Sequence, residues 1–259
     1  MNATAIFEAL AALCALLAAI FIFDQHLNRP RPHKLMWSLG LLFYGIAAGA
    51  AFVGSASHWT VDIYKLWYFF GGTITAVFLG LGTFYLLGPR RIAHVFTVIV
   101  IILALYVAFR FVTDSITSAL AAYIAAHSTD TQAVTGQVAL NMLPVDVRAI
   151  SIPLNIFGGL TLFGGAAWSA WTFWRKHAPG YRLTSMALLA LGSVFPSILT
   201  GLQALGNSGG AALGEFLGAL CLLAGLLISL DVFTVFRVPF THIVLHERRQ
   251  SSTQQVNVR

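Results

Sequence analysis

The sequence predicts an all-α fold, a polytopic transmembrane bundle of seven helices, and three observations carry that prediction. Of 259 residues, 58% are hydrophobic and only 9% charged, whereas soluble domains carry about a quarter charged residues. Apolar runs recur along the whole chain, each near the roughly 20 residues that one bilayer crossing needs. The lysines and arginines gather in alternate connections between those runs. Nine acidic and fifteen basic residues are too few to clothe a soluble core. The runs also lack the period-two alternation of a β-barrel.

The first run, 4–23, has no basic leader and no cleavage signal, so it reads as a retained span and not a signal peptide. The linker NRPRPHK, with two prolines, separates it from the second run, 36–54. The third, 63–87, lies within DIYKLWYFFGGTITAVFLGLGTFYLLGPRR, which opens on Tyr64, Trp67 and Tyr68 and stops at Pro89-Arg90-Arg91. Aromatic rings at one interface and fixed positive charge at the other mark a membrane-spanning helix. The fourth run is 92–113. Residues 114–147 form the one long connection, and a structureless loop of that length is uncommon, so at least one helical turn is expected there. The fifth run, 148–174, ends on Trp168, Trp171 and Trp174, which share one helical face. The sixth, 183–205, contains Pro196, an expected kink. The seventh, 211–236, completes a bundle of residues 1–237, followed by a polar, basic tail at 238–259.

Orientation follows from charge. Twelve Lys and Arg fall on one side of the bundle, and only Lys65, Arg110 and Arg148 on the other. The positive-inside rule then places the N-terminus outside and the C-terminus in the cytoplasm of a cell inner (plasma) membrane, with the lipid bilayer as the immediate partner. The net charge of +6 and pI of 9.7 are explained by this topology, so no nucleic-acid partner is expected. Spans 1–3 and 5–7 point the same way, which admits a 3+1+3 arrangement. HKLMWSLGLLFYG and YRLTSMALLALGS are weakly alike, as duplicated halves would be, and as any two apolar helices following a basic residue are.

Polar groups within such a bundle are costly and therefore informative. Glu215 lies one turn into the seventh span and Glu8 at similar depth on the first; Asp62, Lys65, Arg110, Asp114, Asp146 and Arg148 sit at the same ends of their helices. One reading is a charged vestibule open to the outside; the other is pairing that pins helix ends at the interface. As ligand-binding candidates the sequence offers Glu215, Arg110, Asp62, Lys65, Tyr68, Asn155 and Gln203. Asn155 follows Pro153 by two residues and either satisfies backbone groups freed by the proline or faces a pocket. Ser193, Ser197, Thr200 and Gln203 give the sixth span a semi-polar face, and Asp231 suits a salt bridge to a basic loop. Gly71, Gly72, Gly80 and Gly82 in the third span, with Gly158, Gly159, Gly164 and Gly165 in the fifth, favour close backbone contact between those two helices.

Several chemistries are disfavoured. All eight histidines fall in loops, at helix ends or in the tail, whereas haem b between spans needs axial ligands at mid-depth. The seventh span has no lysine for a retinal Schiff base. Cys14 and Cys221, both inside apolar runs, make neither a disulfide framework nor a metal site. No hydrolase, zincin, P-loop or dinucleotide motif occurs.

The segments LWYFFGGTITAVFLGLGTFYLLGPRR and IPLNIFGGLTLFGGAAWSAWTFWRK resemble signature segments of an uncharacterised bacterial family of seven-helix integral membrane proteins. The resemblance covers most of helices 3 and 5–7 and implies the seven-helix plan, but no activity. The sequence expectation is thus a non-enzymatic membrane protein that binds a small or lipidic ligand, as a sensor or carrier, through an outward-facing cavity between helices 3, 5, 6 and 7. As a sensor it needs a cytoplasmic or membrane protein partner. The alternative is a structural or assembly subunit of a larger membrane complex.

Overall fold

The computed structural model describes residues 2–113, 117–176, 180, 184–185, 187–195, 210–229, 235–237 and 244–247. Four long helices open the chain: α1 (Ala3–Asn28), α2 (Pro32–Ala56), α3 (Val61–Leu87) and α4 (Arg90–Thr113). Pro32 begins α2 at the position where a missing backbone N–H costs nothing. The Thr60 hydroxyl caps α3 by accepting from the Ile63 amide at 3.3 Å. Three short helices, α5 (Ser118–Ala126), α6 (Thr131–Thr135) and α7 (Gln137–Asn141), fold the long connection. Then come α8 (Val145–Arg175), helical residues 187–195 and α9 (Gly210–Ser229).

Among the described residues, six helices are long and apolar enough to cross a membrane: α1, α2, α3, α4, α8 and most of α9. The expected sixth span is described as helix only at 180, 184–185 and 187–195, and Asp114, Pro196, Ser197, Thr200, Gln203 and Asp231 lie outside the described residues. The last span is shorter than its apolar run: α9 is followed by β1 (Val235–Arg237), paired antiparallel with β2 (Val244–Glu247).

The helices pack as bilayer helices do, with small residues inside and large ones outside. On α1 the buried face is Ala5, Ala11, Ala15, Ala18 and Ala19, whereas Leu10, Leu13, Leu17, Ile20 and Leu27 are exposed. Lipid tails solvate leucine as well as a protein interior does, so close packing and not apolar burial drives association. The alanine face of α1 meets α2 and α9. On α4 the same logic leaves Val95, Ile102, Leu105, Phe109 and Val112 exposed.

The third and fifth predicted spans do meet, as α3 and α8. One feature of α3 is not legible in its sequence: residues Phe70–Thr75 form a π-helical turn. Such a turn disturbs the main-chain ladder, and side chains take up the carbonyls. Thr75 donates to the Phe70 carbonyl at 2.7 Å, Thr73 to that of Tyr68 at 3.4 Å, and Asn155 Nδ2 of α8 to that of Gly72.

The long connection caps one end of the bundle. Asp130 Oδ1 accepts from the Gln132 and Ala133 amides at 3.0 and 3.1 Å and starts α6. Trp59, between α2 and α3, is 2% exposed and donates its main-chain N–H to the Ser128 carbonyl at 2.7 Å. Trp59 is thereby an anchor of this cap. At the opposite, basic end, Trp168, Trp171 and Trp174 are exposed, and the Arg175 guanidinium lies 5.9 Å from the Trp171 ring centre. These rings fit an interfacial belt.

Candidate functional site

Glu8 lies on the alanine face of α1, one turn from Ala5 and from Ala11, so the packing that buries those alanines also buries a carboxyl. It is 3% exposed. Its Oε2 is buried and has no hydrogen-bond partner. Ser55 of α2 lies beside the same carboxyl. Behind Ser55 the chain of polar groups continues: its hydroxyl lies 3.0 Å from that of Thr131, which accepts from Trp59 Nε1 at 3.1 Å. The indole can only donate, so Thr131 accepts from Trp59, and either hydroxyl can be the donor between Thr131 and Ser55. Three polar side chains thus link the cap to the neighbourhood of the carboxyl.

Beside Glu8 is a cavity of about 50 Å³. Its walls come from five elements: Thr4 and Glu8 of α1, Ala51 of α2, Trp67 of α3, Thr131, Gln132 and Thr135 of α6, and Ala211, Ala212 and Glu215 of α9. Glu215 is within electrostatic reach of Glu8. Tyr44 of α2 fixes the height of α9 by donating to the Glu215 main-chain carbonyl at 2.7 Å. The Phe7 and Phe216 rings stack at 5.9 Å and hold α1 to α9 at the same level. A water molecule needs about 10–15 Å³ by this measure, so the cavity suits a small ion with a few waters.

The residues expected from the sequence disperse. Glu215 lines the cavity. Arg110 instead pairs with Asp146, Nε to Oδ2 at 2.7 Å, and Tyr106 donates to the same oxygen at 3.0 Å. Asp62 is exposed in the first turn of α3 and Lys65 is half-buried; neither lines the cavity. Tyr68 is buried in an aromatic cluster, edge-on to Phe111 at 6.1 Å. Asn155 donates to the Gly72 and Ser151 carbonyls, so it ties α8 to the π turn. Gln203 lies outside the described residues.

The walls also differ from those expected. The polar cavity belongs to α1, α2, α3, α6 and α9, with nothing from α8 among its described lining. A second cavity, of about 40 Å³, does lie between α2, α3, α8, residue 189 and α9, but it sits toward the basic end. Leu41, Leu79, Leu162, Leu189 and Leu222 make it apolar. Sequence reasoning noted the depth of Glu8 but missed its partnership with Glu215, and it missed α6 altogether. A usable signal existed: Glu8 falls on the same 3.6-residue stripe as the buried alanines. Nothing local to TDTQAVT reports that it closes a cavity.

No protein-family model, curated protein or solved structure matches the chain.

Proposed function

We propose that this chain is a multi-pass protein of the plasma membrane that binds a small ligand, as a sensor or carrier, in the polar cavity at its loop-capped end. The basic end is cytoplasmic in this reading, because the sequence assigns twelve of fifteen Lys and Arg to the connections on that side, so the cavity faces outward. The reading rests on one observation above the rest. A carboxyl oxygen, Glu8 Oε2, is buried without a partner on a side chain that lines a cavity shared with Glu215. An unsatisfied buried polar atom costs about 1–3 kcal/mol, more where charge is involved, and a bound ligand is the economical way to satisfy it. Helix-end pinning accounts for Arg110 and Asp146 but not for Glu8.

The test is ligand retention. Native mass spectrometry of gently solubilised protein should show a bound species whose occupancy falls in Glu8→Gln and Glu215→Gln at unchanged expression. A monodisperse wild-type protein carrying nothing, or recovered only with stoichiometric protein partners, would favour the assembly-subunit reading instead.

A further inference from the structure

The donor chemistry of the cavity is narrow. Two residues with carboxyls, Glu8 and Glu215, line it together with Thr4, Thr131, Thr135 and Gln132. Every side-chain oxygen in that set is a hard ligand, the kind that suits sodium, magnesium and calcium ions, whereas zinc and copper sites draw on imidazole and thiolate. Among the described residues no group of three or more His, Cys, Asp and Glu is gathered, so a cation here has two carboxyls and must draw its other ligands from hydroxyls, the carboxamide and water.

Charge points the same way. No Lys, Arg or His is among the described lining residues, and the stretch from 196 to 209, next to α9, contains none in its sequence. Among the described lining residues, then, the two carboxyls have no counter-charge of the protein's own. Burying an unpaired carboxylate is costly, and the group is relieved either by taking up a proton or by a cation beside it. Size completes the argument: about 50 Å³ admits an ion with two or three waters and no drug-sized or lipidic ligand.

We infer that the outer cavity is a site for a hard inorganic cation, held between the Glu8 and Glu215 carboxylates and completed by the Thr131 hydroxyl, the Gln132 carboxamide and water. The inference rests on the reading that this cavity is the ligand site. In it, Trp59, Thr131 and Ser55 are positioning residues packed behind the Glu8 carboxyl, whose Oε2 they leave without a partner.

The experiment uses the full chain in detergent, exchanged into chelator and a buffer whose only cation is N-methylglucamine. Sodium, magnesium and calcium chlorides are then added separately, with uptake followed by calorimetry and thermal stability. One of the three should bind at a single site and raise the melting temperature. Glu8→Gln and Glu215→Gln should each weaken binding by about tenfold or more, the scale on which metal sites respond to loss of a supporting group. Asp62→Asn, exposed and remote from the cavity, should leave it unchanged. Thr131→Val keeps both carboxyls and serves should either Gln variant fail to fold; it should weaken binding without abolishing it. Absence of binding by all three cations overturns the inference, as does binding indifferent to every cavity variant. If no cation binds but native mass spectrometry finds an organic ligand lost in Glu8→Gln, the cation falls and the ligand site stands. If neither is found, both fall.

Discussion

Gly80 of α3 and Gly158 of α8 face each other backbone to backbone: a methyl group placed on Gly80 would lie 2.7 Å from the Gly158 Cα, and one on Gly158 would lie 2.2 Å from the Ala76 carbonyl carbon. Neither obstacle is a side chain that can swing away. Gly159, the next residue, has open space where its methyl would go. The two helices thus approach to a distance that only glycine permits at these positions, which brings Asn155 within reach of the π turn.

Gly158→Ala should therefore separate α3 from α8 and destabilise the protein by about 1–3 kcal/mol, the usual cost of overpacking. Gly159→Ala should be neutral. Thermal unfolding of the two variants in the same detergent decides the point, and equal melting temperatures would count against a packed glycine seam.

Asn155→Leu removes the donor to the Gly72 carbonyl while keeping the number and branching of side-chain heavy atoms. The expected loss is about 1–3 kcal/mol, because a buried acceptor is left unsatisfied. Faster amide hydrogen exchange confined to residues 70–76 should accompany it. Uniform acceleration across α3 would argue that Asn155 has no special hold on the π turn.

Trp59→Phe keeps the ring in the cap but deletes the Nε1 donor to Thr131. The expected cost is about 2–4 kcal/mol, one net hydrogen bond plus the cavity left by the smaller ring. Protease sensitivity of the 127–136 connection should rise. An unchanged digestion pattern would mean that packing alone holds the cap.

Asp146→Asn breaks the Arg110 ion pair, whose side chains are 33% and 35% exposed. A pair this open to its surroundings is worth about 0–1 kcal/mol, so stability should barely move, and cation binding at the Glu8–Glu215 cavity should not move at all. A large loss of binding would return Arg110 to the site from which the geometry removes it.

A fluorescent reporter fused after Arg259 should mature in the cytoplasm, and a periplasmic phosphatase fused there should stay inactive. The opposite pair of results would invert the orientation inferred from charge.

Much of this protein is readable without a structure because the bilayer is a simple solvent. Crossing it demands about 20 apolar residues and sorts Lys and Arg by side; both are properties of a local stretch, so α1 to α4, α8 and α9 could be marked from the sequence. Glu215 could be singled out on the same ground, as a carboxyl inside an apolar run. What the tertiary structure alone decided is which polar groups meet. Glu8 and Glu215 stand near opposite ends of the chain, and only the packing of α1 between α2 and α9 brings them to one cavity. Arg110 and Asp146 form a pair because α4 and α8 set them 2.7 Å apart, while Asp62 and Lys65, equally charged, line no cavity. The π turn has a similar origin: its displaced carbonyl is satisfied from α8, a neighbour that the sequence of α3 does not announce. Span and orientation are set by each helix's contact with lipid, one segment at a time. A site is set by contacts between helices, and those exist only once the bundle has closed.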